Sequence, residues 1–350
     1  MKSQTLLRGL FILWCLVYLG AWYYELTLPA AFPGEKVTPK IVYLPPGTPF
    51  KRVAQILAEK GIIRSPLGFT IEALRLGLIN QLKAGEYQLD PRKSPSEILK
   101  ILAEGRVLTH MVTIPEGYNL WEIADLLDQA GLVSRKAFLA AASDEKLLKK
   151  LHLPGPTAEG YLFPDTYAFY KDMTPEEIIT RMVNQFWKVW EEFAPRAKEL
   201  GLSVQQVITL ASIVEKEAMV PQERALIAGV FWNRLKRGMP LQADPTVRYA
   251  LKKFRRPLYR RDLQVKNPYN TYLYPGLPPG PICNPGREAI RAVLYPAKTK
   301  YLYFVAMGNG RHYFSHTLRE HLRAVRRYRK GLYHRSSGSA PSKEKQTPRD

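Results

Sequence analysis

Two acids close a mostly apolar run at Ala211-Ser212-Ile213-Val214-Glu215-Lys216-Glu217. Val204, Val207, Ile208, Ala211, Val214 and Ala218 recur at helical spacing, so Ser203 to Ala218 reads as an amphipathic helix with its acids in the last turn. The helix macrodipole disfavours an acid there, which invites a chemical use beside the plain alternative of a solvated helix end. Residues i and i+2 on a helix point about 200° apart, so Glu215 and Glu217 cannot flank one bond as the two carboxyls of a glycosidase do. They lie on opposite shoulders of the apolar face, and geometry does not choose between them. A single carboxyl against apolar walls stays protonated near neutral pH and suits a general acid.

The chain after this helix supplies groups that would hold a polar polymer. Asn233, Gln242-Ala243-Asp244-Pro245-Thr246, Asn267-Pro268-Tyr269-Asn270-Thr271-Tyr272 and Gly276-Leu277-Pro278-Pro279-Gly280 bring amides, hydroxyls and rings into a stretch, Leu241 to Pro285, that reads as loop. Gln242, Asp244, Thr246, Tyr269, Asn270 and Tyr272 fit a carbohydrate groove, where sugar faces stack on rings and hydroxyls need paired donors and acceptors. Structural turns explain the same composition, and Asp244 beside Pro245 would serve as a turn cap. Glu159 and Asp165, in Glu159-Gly160-Tyr161-Leu162-Phe163-Pro164-Asp165-Thr166-Tyr167, would help to shape a site, with turn-forming Gly160 and Pro164 giving an equally good structural reason. His312 and His316 have i,i+4 spacing but fall on expected strand and turn, so no metal site is expected and His312 reads as a packing or hydrogen-bonding group near the groove. The chain has no Gly-x-Ser-x-Gly elbow and no Walker-type phosphate loop, which argues against a serine hydrolase or a nucleotide enzyme. No cofactor is expected.

The elements that must position these groups begin with a span. Lys2 and Arg8 precede an uncharged run of about 16 residues, Gly9 to Tyr24, ending in Trp22, Tyr23 and Tyr24 at the height of an interfacial belt. The positive-inside rule puts the N-terminus in the cytoplasm and everything after Glu25 on the far side. A cleaved signal peptide is the rival reading, weakened because Ala30 and Ala31 lie beside Pro29 and well past the apolar run. Pro29, Pro33, Gly34 and Pro39 then mark an extended linker.

Beyond it an internal repeat appears: Val42-Tyr43-Leu44-Pro45-Pro46-Gly47 returns as Val112-Thr113-Ile114-Pro115-Glu116-Gly117. Val53-Ala54 matches Ile123-Ala124, Leu57 matches Leu127, Gly61 matches Gly131, and Ile63 matches Val133, so each copy reads as strand, turn and amphipathic helix closed by Gly. Two copies are too few for a solenoid and imply two small related α+β modules. Tyr301 to Val305 reads as a buried strand, Gln222 to Lys236 as a second helix, and Leu318 to about Arg329 as a basic closing helix. Ser336 to Asp350 reads as a disordered tail.

With 52 Lys and Arg against 31 Asp and Glu, the formal charge of +21 favours an anionic partner but does not choose among nucleic acid, anionic lipid and an acidic wall polymer. The anchor opposes nucleic acid, since the basic domain would face away from it. Cys15 lies in the span and Cys283 alone beyond it, so neither a disulfide framework nor a cysteine zinc site is expected.

The motifs Glu159 to Tyr167, Ala211 to Glu217, Gln242 to Thr246, Tyr269 to Tyr272, Gly276 to Gly280 and Tyr301 to Val305, in this order, resemble the YceG-like family of endolytic murein transglycosylases. The resemblance runs from about Lys40 to Tyr328 and includes the anchor; Pro281 and the basic tail fall outside the pattern. It implies an α+β fold: an N-terminal transmembrane helix, a small LysM-like α+β module and a larger α+β catalytic domain. On it the chain divides into a cytoplasmic N-terminus 1–8, anchor 9–28, linker 29–39, LysM-like module 40–106, catalytic domain 107–332 and disordered basic tail 333–350. It implies cleavage of the MurNAc–GlcNAc β-1,4 bond within nascent strands, leaving 1,6-anhydro-MurNAc ends, by an enzyme held on the inner membrane and facing outward. Aligned on the family motif, the catalytic glutamate is Glu217, with Glu215 the alternative. Peptidoglycan strands and the inner membrane are the implied partners, with peptidoglycan synthases as candidates. A non-catalytic, membrane-anchored peptidoglycan-binding scaffold is the competing reading.

Overall fold

The structure is a computed structural model and describes residues 2–32, 34–254 and 256–337. The described chain divides into two units, Met1–Val112 with Ala168–Met173, and Thr113–Tyr167 with Thr174–Asp350. The boundaries between the units fall at residues 112/113, 167/168 and 173/174.

The first unit opens with helix α1, Lys2–Leu26. Its stretch Arg8–Leu26, 19 residues of mean hydropathy 1.4, is long and apolar enough to cross a membrane. The segment after it is not a free tether. The Ala31 N–H donates to the Pro91 carbonyl at 3.0 Å and Pro29 bridges to Ile63, while the Tyr23 hydroxyl donates to Glu72 at 2.5 Å.

The first module follows as β1 (Lys40–Leu44), α2 (Phe50–Glu59), α3 (Pro66–Leu76), β2 (Gly85–Leu89) and α4 (Pro95–Glu104). β1 and β2 pair antiparallel with Val42 opposite Tyr87. Alternation along β1 buries Val42 and Leu44, and the helical stripe of α2 buries Val53, Ala54 and Leu57 against Phe69, Leu99 and Leu102. Ser65 caps α3 and Ser94 forms a capping box with Glu97 on α4, each followed by Pro at the first helical position.

The repeat is realised as structure. In the second copy β3 (Thr109–Thr113), α5 (Leu120–Gln129), α6 (Arg135–Ala141), α7 (Glu145–Lys150) and β4 (Thr166–Tyr170) follow in order, and β3 pairs with β4 in a two-stranded sheet. Gly47 and Gly117 turn at φ +77° and +78°, conformations that glycine adopts without a Cβ clash. The likeness extends past the matched residues: Ser65 and Ser134 each cap a helix whose fourth following residue, Phe69 or Phe138, is wholly buried.

The second unit is mostly helical: α8 (Pro175–Glu199), α9 (Val204–Glu217), α10 (Arg224–Lys236), α11 (Asp244–Ala250), α12 (Arg287–Leu294), the hairpin β5 (Tyr303–Ala306) and β6 (His312–Ser315), and α13 (Leu318–Ser337). Ser203 and Gln206 form a capping box on α9, whose residues Val207 to Val214 are all buried. Three expectations change here. Leu241 to Pro285 is not all loop, because Asp244-Pro245 starts the short helix α11 and Arg260–Gln264 forms a 3-10 turn. The apolar run at Tyr301 yields a strand that begins at Tyr303 and is only half-buried, since it belongs to a two-stranded ribbon beside a cleft. The closing helix continues to Ser337; residues 338–350, the rest of the tail, lie outside the described residues.

Candidate active site

A cleft of about 420 Å³ in the second unit is lined by Glu217, Arg234, Gln242, Asp244, Tyr272, His312 and His321, with Tyr303, Phe304 and Leu322 among its apolar walls. Helix α9 delivers Glu217 as its last residue, and the backbone leaves the helix at Ala218 in an extended conformation. The turn carrying Gln242 to Thr246 is zipped to the segment Tyr269 to Tyr272. The Gln242 N–H donates to the Thr271 carbonyl and the Ala243 N–H to Thr271 Oγ1, both at 3.0 Å, and the Thr246 and Thr271 hydroxyls pair at 2.9 Å. Tyr272 Oη then donates to Asp244 Oδ1 at 2.6 Å.

The two acids of α9 have different surroundings. Glu215 is held in place: Arg224 Nη2 lies 3.1 Å from its Oε1 and the Gly286 N–H donates to its Oε2 at 3.0 Å. Glu217 opens on the cleft yet is ringed by protein. Burial, and then the charge of Asp244, push its carboxyl up to about 8, with Arg248 opposing. A group with that pKa is mostly protonated at neutral pH and can donate a proton.

Of the other sequence candidates, Gln242, Asp244 and Tyr272 line the same cleft. Thr246 and Asn270 are wholly buried and do not. The Thr246 hydroxyl donates to the Ala243 carbonyl, and Asn270 Nδ2 donates to the Leu263 and Val265 carbonyls, so both side chains are spent on the frame. Tyr269 packs on Tyr249 with ring centroids 4.9 Å apart. Asp165 is exposed and accepts from Gln185 Nε2 at 2.7 Å. Asn233 donates to the Thr299 and Tyr301 carbonyls, anchoring the approach to β5.

Glu159 is buried away from the cleft. It accepts the Leu120 N–H at 3.1 Å and Asn284 Nδ2 at 3.2 Å, and Asn284 in turn accepts the Leu162 N–H. Gly160 beside it turns at φ +88°, and a Cβ there would lie 2.4 Å from Pro281, which explains the glycine. Burial raises the Glu159 carboxyl to about 8.

Glu159 and Glu217 therefore both retain a proton in the folded chain that the unfolded chain, with carboxyls near 4.5, has released. Their contribution to stability is full below about pH 4.5 and is lost as pH rises through about 8. The thermal midpoint is expected to fall across that window, and Glu159→Gln or Glu217→Gln should each flatten the fall. A slope unchanged in both variants would contradict the burial argument.

Arg234, His312, Glu223 and His321 were not identified from the sequence as a group. Arg234 continues the buried stripe of α10 that holds Ile227, Val230 and Phe231, and a basic residue on such a stripe is a legible signal. His312 Nδ1 lies 2.7 Å from Glu223 Oε2 and its backbone N–H donates to the same carboxylate at 3.1 Å, fulfilling its reading as a hydrogen-bonding group near the groove.

Known proteins resemble the chain over most of its length. The chain is 35% identical over 325 residues to an endolytic murein transglycosylase of Bacillus subtilis, covering 88% of this chain and 90% of that protein. It is 32% identical over 340 residues to an endolytic murein transglycosylase of Streptococcus pneumoniae, covering 87% of this chain and 62% of that protein. Its structure resembles the 2.6 Å crystal structure of a yceG-like protein from Listeria monocytogenes, with TM-score 0.58, 36% identity, and coverage of 81% of this chain and 98% of the other. The model of the YceG-like family matches residues 42–327, and the chain belongs to that family.

Proposed function

We propose that this protein is a membrane-anchored lytic transglycosylase that cuts peptidoglycan strands internally, with Glu217 as both acid and base. The observation that carries the reading is a single acid of raised pKa in the cleft, while its neighbour Glu215 is taken up by Arg224 and Gly286. Protonated Glu217 gives its proton to the glycosidic oxygen as the bond to C1 of MurNAc breaks. The resulting carboxylate takes the proton of the C6 hydroxyl as that oxygen bonds to C1, so the enzyme ends protonated and no water is consumed. Asp244, with its charge beside Glu217, keeps the acid protonated and faces the positive charge that develops on the sugar.

The same Asp244 motivates a second reading, in which it activates water and the enzyme is an inverting hydrolase. Tyr272 holds one of its oxygens, which favours the electrostatic role.

Lys2 and Arg8 support an N-terminus in the cytoplasm and a catalytic unit on the outer side of the membrane. The module of residues 40–106, in the order β1, α2, α3, β2 and α4, serves as a LysM-like glycan-binding unit; a groove of about 310 Å³, lined by Pro45, Gly47, Thr48, Asn80 and Lys83, supports this. Peptidoglycan synthases, which make the nascent strand, are the protein partners this placement suits. Full-length protein in detergent is expected to release fragments ending in 1,6-anhydro-MurNAc from purified sacculi, read by mass spectrometry. Binding without release of any fragment would favour the scaffold instead.

A further inference from the structure

Arg234 is 6% exposed, its Nε lacks a hydrogen-bond partner, and among the described residues no carboxylate pairs with it. A buried guanidinium with an unmet donor is costly, so its place in the cleft wall asks for a use. Its Nη1 donates to the Leu241 carbonyl at 3.2 Å and its Nη2 to Gln242 Oε1 at 2.6 Å. A guanidinium has donors only, so the Gln242 atom facing it must be the carbonyl oxygen. The amide NH2 is thereby turned away from Arg234, on an exposed residue that lines the cleft with Glu217. The Gln242 backbone lies at φ +54°, where glycine or asparagine costs less. Glycine would relieve that strain and supply no amide.

We propose that Arg234 and Gln242 form a donor of fixed polarity that reads a carbonyl oxygen of the sugar bound beside Glu217, namely its 2-acetamido group. This rests on the glycan-cleaving reading and extends it to specificity. A sugar hydroxyl can donate or accept and would be read either way round, whereas a carbonyl only accepts. Removal of the acetyl group leaves an ammonium, a cation and donor set against a locked donor backed by a guanidinium. The site thus selects N-acetylated strands. Gln242 is the binding residue and Arg234 its positioning residue.

The test measures kcat/KM of the full-length chain on three substrates: N-acetylated strands, the same strands after de-N-acetylation, and strands whose lactyl amide has been cleaved by an amidase. Gln242→Glu keeps an acceptor for Arg234 and removes the donor. Wild type is expected to lose about 10- to 100-fold on de-N-acetylated strands and little on amidase-treated ones. Gln242→Glu should lose about 10-fold on the acetylated substrate, and its preference should vanish or reverse with the thermal midpoint retained. Arg234→Met, which frees the amide to flip, should shrink the same ratio. A wild type indifferent to the acetyl group, a Gln242→Glu enzyme with the wild-type preference, or a preference that follows the lactyl amide would each overturn the proposal. A wild type that cuts none of the three strands would overturn the glycan-cleaving reading itself.

Discussion

Glu217→Gln is expected to lower strand cleavage by about 10³-fold or more, because the variant can neither protonate the leaving oxygen nor accept the C6 proton. Folding should survive, since the side chain replaces a carboxyl that is already mostly neutral at pH 7 and the amide has the same shape. Above about pH 8 the variant should even be the more stable form, as it escapes the cost of ionising a protein-ringed acid. In the wild type, cleavage should decline as pH rises past about 8, where the acid loses its proton.

Glu215→Gln should show the opposite division of effects. It leaves the cleft acid in place and weakens the pairing of Arg224, whose side chain is only 15% exposed. A stability loss of roughly 1–3 kcal/mol with substantial activity per folded molecule follows. An inactive Glu215→Gln beside an active Glu217→Gln would move the assignment two positions along the helix.

Much of the fold is legible in the sequence. Helix α9, the two related modules and the closing basic helix follow from periodicity, which is local. The choice between Glu215 and Glu217 was not legible, because what occupies Glu215 is Arg224 and the backbone of Gly286, 9 and 71 positions away. Composition likewise marked Thr246 and Asn270 as polar loop residues but could not say that their polar atoms close the frame on itself. Tyr303 and Phe304 read as core in the sequence because an apolar cleft wall uses the same residue types as a buried strand. Arg234 carried a signal in its position on the α10 stripe, and only the structure shows that the stripe ends at the cleft.

The strongest discrimination comes from where the new sugar oxygen originates. Asp244 stands in the cleft with Glu217, so a hydrolytic route is chemically open to this set of residues. The intramolecular route predicts otherwise: the C6 hydroxyl is tethered to the reacting carbon at an effective concentration that water cannot match, and one carboxylate suffices for both proton transfers. Digesting peptidoglycan in oxygen-18 water with the full-length enzyme, and reading the new ends by mass spectrometry, separates the two. The account predicts unlabelled 1,6-anhydro-MurNAc ends; oxygen-18 in a reducing MurNAc end at each cut would contradict it and assign Asp244 as the base that activates water.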